Sequence, residues 1–188
     1  MTDRPLFIPV LLGTTRKGRV SERVAKLLVA EVAKRPGVET ELIDIAKLPL
    51  TVDDTGTGAP IAGYLEAVQR MDGLVIVSPE YNHAYSGLLK HVLDSALKEY
   101  IHKAVGIVGV SAGPFGGTRG IEGLLHVMRE LGLVNIFWDV NFGQAHKQFD
   151  ANGKLLDDAW LPRIDKFLKE LIWMSKVLRH GREHVALD

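Results

Sequence analysis

Five strand-like runs, four apolar and one (39–45) alternating polar and apolar, each followed in turn by a stretch of helical periodicity, constrain this 188-residue chain more than any other feature. The runs fall at residues 6–12, 39–45, 73–77, 104–110 and 133–140. Between them Val20, Val24, Leu27, Leu28 and Val32 recur at helical spacing, as do residues 61–71 and then Leu88, Leu89, Val92, Leu93, Ala96 and Leu97. Ile121, Leu124, Leu125, Met128 and Leu131 form a fourth helical face, closed by Gly132. Leu161, Ile164, Phe167, Leu168, Leu171, Ile172 and Ser175 stripe a last helix to about residue 179. Strands that alternate with helices pair in parallel, and both faces of the sheet are then covered. The fold class is therefore α/β, a three-layer sandwich around a five-stranded parallel sheet. Right-handed crossovers leave two strand orders open, 2-1-3-4-5 and a truncated Rossmann order.

Finer expectations follow. Pro9 lies inside the first run, where proline removes a ladder hydrogen bond. Residues 46–60 read as a long connection, and 141–158 as a polar surface excursion with a turn at Asn152-Gly153. The tail 181–188 is expected to be loose. Residues 1–188 read as one domain, with no internal repeat or linker.

Composition narrows the chemistry. Lysine plus arginine and aspartate plus glutamate both number 23, so the net charge of zero argues against a nucleic-acid or anionic-membrane partner. Cysteine is absent, which excludes a dithiol centre, a cysteine-held cluster and any disulfide. Electron transfer would need an organic cofactor. With no secretory signal and no membrane-length apolar run, the expected location is cytoplasmic. The seven histidines suggest no metal site; His180 and His184 are four apart, with Gly181 between them at a helix end.

Three loops carry the functional signal. Gly13-Thr14-Thr15-Arg16-Lys17-Gly18-Arg19-Val20-Ser21 opens the first helix, whose N-terminus offers unpaired amides and a positive dipole end to a phosphate. Thr14, Thr15 and Ser21 add hydroxyls and Arg16 a forked guanidinium. The loop is neither the glycine fingerprint of dinucleotide folds nor a Walker loop. Pro79-Glu80-Tyr81-Asn82 follows the third run, where its backbone and the Asn82 amide can meet a flat polar ligand. Ser111, Gly113, Gly116 and Gly117 follow the fourth, and glycines let backbone amides approach a planar ring. In the order 2-1-3-4-5, strands one, three and four are neighbours, so the three loops share one rim, at the carboxyl ends where open sheets bind ligands.

These motifs resemble those of the NADPH-dependent FMN reductase family, which includes quinone, azo and chromate reductases of flavodoxin-like fold. The matching residues are Gly13-Thr14-Thr15-Arg16; Pro79-Glu80-Tyr81-Asn82; Gly87-Leu88-Leu89-Lys90-His91 with Asp94; and Ser111, Gly113, Gly116, Gly117 and Arg119. The likeness spans roughly residues 5–140. Four positions depart from the family pattern. Arg19 stands where a phosphate-binding serine is usual, leaving Ser21 to compensate. Ser86 replaces a proline, which is expected to loosen the loop entry before Gly87. His91 replaces an asparagine, and Ser95 a frequent tryptophan.

The resemblance implies a flavodoxin-like sheet and an enzyme that passes hydride from NADPH or NADH through the N5 of FMN to a flavin, quinone, azo compound or similar acceptor. It implies no catalytic side chain, since the flavin carries the chemistry. It assigns Thr14, Arg16, Arg19 and Ser21 to the phosphate, and Pro79, Glu80, Tyr81 and Asn82 to the ribityl chain and ring. Ser111, Gly113, Gly116 and Gly117 go to the ring edge, and His83 and Tyr85 to the second-substrate face. It also implies a homodimer or homotetramer with the helix over 87–100 at the interface. The alternative is a flavodoxin-like electron carrier without NAD(P)H turnover, which the zero net charge disfavours because such carriers are typically acidic.

Overall fold

The computed structural model describes residues 4–51 and 60–187; positions 52–59 of the expected 46–60 connection lie outside the described residues. The main sheet runs β4 (Leu42–Asp44), β2 (Val10–Leu12), β5 (Gly73–Pro79), β6 (Ala104–Val110) and β7 (Val134–Asn135), all parallel, with β8 (Val140–Phe142) also pairing β6. A two-stranded extension joins β1 (Leu6–Phe7) to β3 (Val38–Glu39). Three of the five expected strands are thus each broken into two pieces. Counted as ribbons, the order is second, first, third, fourth, fifth, the flavodoxin-like arrangement.

Pro9 explains the first break. Leu6, Ile8 and Val10 donate at 2.9 Å to the carbonyls of Gly37, Glu39 and Glu41, while the Pro9 carbonyl accepts from Val75 at 3.0 Å. Parallel pairing alternates between neighbours, so the missing N–H falls on the β5 side and removes one bond without detaching the strand. The last expected strand parts at residues 136–139, where Phe137 and Trp138 turn outward and the Phe137 amide donates to Glu170 at 3.0 Å.

Strand alternation divides the core. Leu6, Ile8, Val10 and Leu12 face α1 (Ser21–Ala33) and α5 (Trp160–His184). Phe7 and Leu11 face α2 (Tyr64–Arg70), α3 (Gly87–Asp94) and α4 (Thr118–Glu130). Both layers are apolar and almost fully buried. The helix end expected at Gly132 is realised as a left-handed glycine (φ 75°), with Leu133 N–H bonded to Met128 and Gly132 N–H to Arg129.

Two helix boundaries differ from expectation. The helix expected over 87–100 stops at Asp94, because the Ser95 hydroxyl takes the Val92 carbonyl at 2.7 Å and the chain folds back into a short turn at Lys98–Tyr100. That turn buries Tyr100, whose hydroxyl reaches the Leu93 carbonyl at 3.1 Å and lies 2.6 Å from the Tyr64 hydroxyl. The last helix continues past residue 179 to His184, through what was expected to be a loose tail. Its end is anchored on Asp72, a fully buried carboxylate that also takes Arg4 in a fork (2.7 and 2.8 Å). Arg182 approaches Asp72 at 3.1 Å and Arg179 at 3.7 Å. This cluster lies at the amino ends of the strands, away from the three loops. The 141–158 excursion is also less superficial than its polarity suggests. Phe142 stacks on Trp160 at 4.2 Å, and the Trp160 indole donates to Gln148 at 3.0 Å. Its turn at Asn152-Gly153 forms as expected, with the Asp150 carboxylate accepting from Asn152 and Lys154 N–H, each at 2.8 Å. No described helix is long and apolar enough to cross a membrane.

Candidate functional site

The first loop leaves β2 between two neighbours. Gly13 N–H bonds the Val77 carbonyl at 2.9 Å, and a Cβ at Gly13 would meet the Leu89 side chain at 2.8 Å. Glycine lets the loop pass close to α3; a side chain there would have to displace Leu89 and crowd the Val77 carbonyl at 3.1 Å. Thr14 is buried, and its hydroxyl lies 2.6 Å from the Tyr81 hydroxyl while accepting from Arg16 N–H at 3.2 Å. Arg16 extends outward over the Tyr81 ring, 5.6 Å from its centre. Arg19 turns inward to the Thr14 carbonyl (2.8 Å) and to Asp44 (2.5 Å). α1 then starts without a side-chain cap on its first turn. Ser21 Oγ and Arg19 Nε are both buried there without a hydrogen-bond partner.

The second loop leaves β5 through Pro79. Glu80 N–H bonds the Val110 carbonyl at 3.0 Å, and its carboxylate accepts from the Arg119 amide at 3.2 Å, with the Arg119 guanidinium at 3.5 Å. Glu80 therefore caps α4 and ties the second loop to the third. Tyr81 and Ala84 exchange backbone hydrogen bonds (2.7 and 3.0 Å) around Asn82 and His83, whose φ values are 50° and 68°. Two left-handed residues in a two-residue connection make a primed turn, which Asn and His tolerate better than most side chains. Ser86, expected to loosen this region, tightens it. Its hydroxyl donates to the Gly13 carbonyl at 2.7 Å and accepts from Leu89 N–H at 3.1 Å, capping α3.

The third loop is packed at one end and open at the other. Gly116 and Gly117 have φ of 63° and 83°, and a Cβ on either would run into the backbone of Asn141 or of β6. Gly113 has open space where a Cβ would sit. Ser111 N–H bonds Phe142, the Ser111 hydroxyl donates to the Gly113 carbonyl at 2.9 Å, and Ala145 N–H returns to the Ser111 carbonyl at 3.0 Å.

Together these loops wall a cleft of about 380 Å³, bounded by Arg16 to Ser21, Pro79 to Tyr81, Val110 to Ala112, and Ala145-His146. Thr14, Asn82 and the start of α3 line a second hollow on the far side of Tyr81. Arg16, Arg19, Ser21, Pro79, Glu80, Tyr81 and Ser111 thus come to one cleft. Thr14 and Asn82 border the adjoining hollow, and Gly116 and Gly117 support the loop from behind. His83 is exposed at the turn, while Tyr85 lies against α4, where a Cβ on Gly123 would touch its ring at 3.3 Å. Neither wall of the cleft is formed by His83 or Tyr85.

Three contributors were not legible in the sequence. Ala145-His146 comes from the excursion read as surface, Asp44 from the end of the second ribbon, and Ser86 from a departure read as weakening. Only Ser86 carries a local signal, a hydroxyl at the N-cap of α3; the contacts that bring all three to the site are with residues distant in the chain. Among the described residues no cluster of three or more His, Cys, Asp or Glu could hold a metal.

The site fits a phosphorylated ligand on its own features: two buried unpartnered polar atoms, on Arg19 and Ser21, at an uncapped helix start whose residues line the cleft. Comparison with known proteins agrees. The chain is 29% identical over 177 residues to an NAD(P)H-dependent FMN reductase of Pseudomonas aeruginosa, covering 88% of this chain and 93% of the relative. It is 32% identical over 181 residues to an NADPH:quinone oxidoreductase of Arabidopsis thaliana, covering 89% and 91%. Among solved structures, FerB of Paracoccus denitrificans, a flavoenzyme NAD(P)H:(acceptor) oxidoreductase, shares the fold with a TM-score of 0.75 at 21% identity, over 92% of this chain and 98% of that one. The model of the NADPH-dependent FMN reductase family matches residues 8–147, and the chain belongs to that family.

Proposed function

We propose that this protein is an NAD(P)H-dependent oxidoreductase that uses FMN to reduce a small organic acceptor such as a flavin, quinone or azo compound. The observation that carries the reading is the pairing of Ser21 Oγ and Arg19 Nε, buried and unpartnered, at the start of α1 and beside the cleft. When bound, FMN supplies hydride transfer at N5 from the nicotinamide to the acceptor. The chain supplies position and exclusion of water. Arg19, Ser21 and Arg16 would hold the phosphate, with Thr14 fixing the loop through Tyr81. Pro79 to Asn82 would border the ribityl chain and ring. Ser111 and Gly113 would bring backbone to the ring edge, with Gly116 and Gly117 shaping the turn behind them. His146 stands at the rim with Ala145, and His83 and Asn82 face the side from which a second substrate would approach. No side chain need act as nucleophile or base.

The protein would work as a homodimer or homotetramer of single-domain chains, 1–188, in the cytoplasm, without nucleic-acid or membrane partners. Leu88, Leu97 and Ile101 are exposed on and just beyond α3, Leu88 at the Asn82 hollow, and give apolar surface for such contact.

The test is a visible spectrum after incubation with FMN and desalting. Two flavin bands that bleach anaerobically with NADPH and return on adding a quinone support the reading. Retained flavin that NADPH does not bleach would instead mark an electron carrier, and a colourless protein would overturn the cofactor assignment. A monomer mass with FMN bound would overturn the oligomer.

A further inference from the structure

Phe115, at the tip of the third loop, has 61% of its surface open to solvent. A lone exposed phenylalanine needs no explanation, but this one is held in place. Its carbonyl accepts from the Thr118 N–H (3.2 Å) and from the Thr118 hydroxyl (2.6 Å). Behind it, Gly116 and Gly117 are locked in left-handed backbone against Asn141 and β6. Ahead of it, the Gly113 carbonyl accepts from Gln144 N–H at 2.8 Å, and Pro114 packs against Gly143, where a Cβ would strike the Pro114 carbonyl. The ring is thus displayed on a braced backbone.

Two features connect the ring to the cleft. Ser111 and Ala112 line the cleft, and Ala112, Gly113 and Pro114 are all exposed. They carry the surface out to Phe115 with no long side chain in the way, over at most about 11 Å of chain. The Arg119 guanidinium lies 4.9 Å from the centre of the Phe115 ring and 3.5 Å from the carboxylate of Glu80, which borders both the cleft and the Asn82 hollow. A Cβ at Gly120, the next residue, would lie 3.5 Å from the Ala84 carbonyl, so the pair stands beside the turn that carries Asn82 and His83. The Arg119 side chain is 46% exposed, and its long contact with Glu80 leaves much of the fork open to solvent.

We infer that Phe115 and Arg119 form a subsite for the electron acceptor, in which the ring stacks on a planar acceptor at the mouth of the cleft and the guanidinium takes an anionic substituent on it. This rests on the oxidoreductase reading above. The substrate class that follows is an aromatic quinone or azo compound bearing a sulfonate or carboxylate. The ring supplies apolar area and stacking, and the fork offers paired donors to two oxygens of one group. An uncharged acceptor uses only half of the subsite.

The experiment titrates the oxidised, FMN-loaded protein with 1,4-naphthoquinone and with 1,4-naphthoquinone-2-sulfonate, without NADPH. Dissociation constants are read from the perturbation of flavin absorption in wild type, Phe115→Ala and Arg119→Gln, with FMN affinity and thermal melts as controls. Wild type is expected to bind the sulfonate about tenfold more tightly, the scale of one charge-assisted contact. Phe115→Ala should weaken both quinones about fivefold, the scale of one aromatic contact, and in turnover the loss should fall on KM and not on kcat. Arg119→Gln should cut the preference for the sulfonate to about twofold or less. A wild type that binds both quinones equally, or a Phe115→Ala variant indistinguishable from it, overturns the proposal. Equal loss of both quinones in Arg119→Gln would show that Arg119 only braces Glu80, and overturns it too. Should Arg119→Gln fail to retain FMN, the wild-type preference is compared in low and high salt, and a preference that salt does not reduce overturns the guanidinium contact. A wild type that does not retain FMN sinks the oxidoreductase reading itself. One whose flavin NADPH bleaches, with an indifferent Phe115→Ala, sinks only this inference.

Discussion

The hydroxyls of Thr14 and Tyr81 lie 2.6 Å apart although the residues are 67 positions apart in the chain. This bond closes the first loop onto the second, forms the partition between the cleft and the hollow on the Asn82 side, and places the Tyr81 ring beneath Arg16. The site is therefore a braced assembly: Tyr81 to Thr14, Glu80 to Arg119, Ser86 to Gly13 and Arg19 to Asp44.

Tyr81→Phe removes the brace and leaves the ring. One lost hydrogen bond between partly buried groups is worth about 1 kcal/mol. FMN is expected to bind about fivefold more weakly, read by fluorescence quenching, with near-unchanged secondary structure by circular dichroism. Unaltered affinity would mean that the partition does not shape the cleft.

Ser86→Ala removes both the cap of α3 and the bond to Gly13. The expected loss is about 1–2 kcal/mol of unfolding free energy, measured by urea titration. Proline fits the observed φ of −73° but has no hydroxyl. Ser86→Pro should therefore leave the Gly13 carbonyl without its donor and also destabilise this chain.

Gly113 and Gly116 are three residues apart and should respond oppositely to alanine. At Gly116 the φ of 63° and a Cβ contact of 2.5 Å with the Asn141 backbone leave no room, so a cost of about 2 kcal/mol or more is expected. Gly113→Ala meets nothing within 4 Å and should stay within about 0.5 kcal/mol of wild type. Thermal melts of both variants settle this, and equal destabilisation would contradict the packing described.

Lys103 provides a pH signature at the far end of the sheet. Its ammonium donates to the Val68 and Gln69 carbonyls (2.6 and 3.0 Å), and burial first, then Arg182, lowers its pKa from the ordinary 10.5 to about 8. Between those values the unfolded chain holds a proton that the folded protein has lost, so the Lys103 contribution to stability rises with pH across that window. The difference in stability between wild type and Lys103→Met should therefore shift in favour of wild type from pH 8 to pH 10.5, followed by urea midpoints at each pH. A difference that is flat across that range would refute the shift.

The sequence by itself determined the layers and the rim. Apolar runs and helical stripes are local patterns, and Gly132, Pro79 and the glycines around Pro114 act through their own φ preferences, so each could be read where it stands. That is why the layers and the three loops were legible in the sequence, whereas its local patterns left two strand orders open and the packed sheet chose between them. Pro9, which looked out of place, splits the first strand without detaching it, because its missing N–H falls on the β5 side only.

What only the tertiary structure decided is where side chains point when their partners are remote. Arg19 could face solvent as easily as Asp44 in a sequence, and Ser86 reads as a lost proline until Gly13 is seen above it. Ala145-His146 becomes part of the cleft because Phe142, Phe149 and Trp160 stack beneath the excursion and pull it against the rim. Local periodicity fixes which face of an element is buried. The partner a polar group finds depends on distances between segments that only the packed core sets.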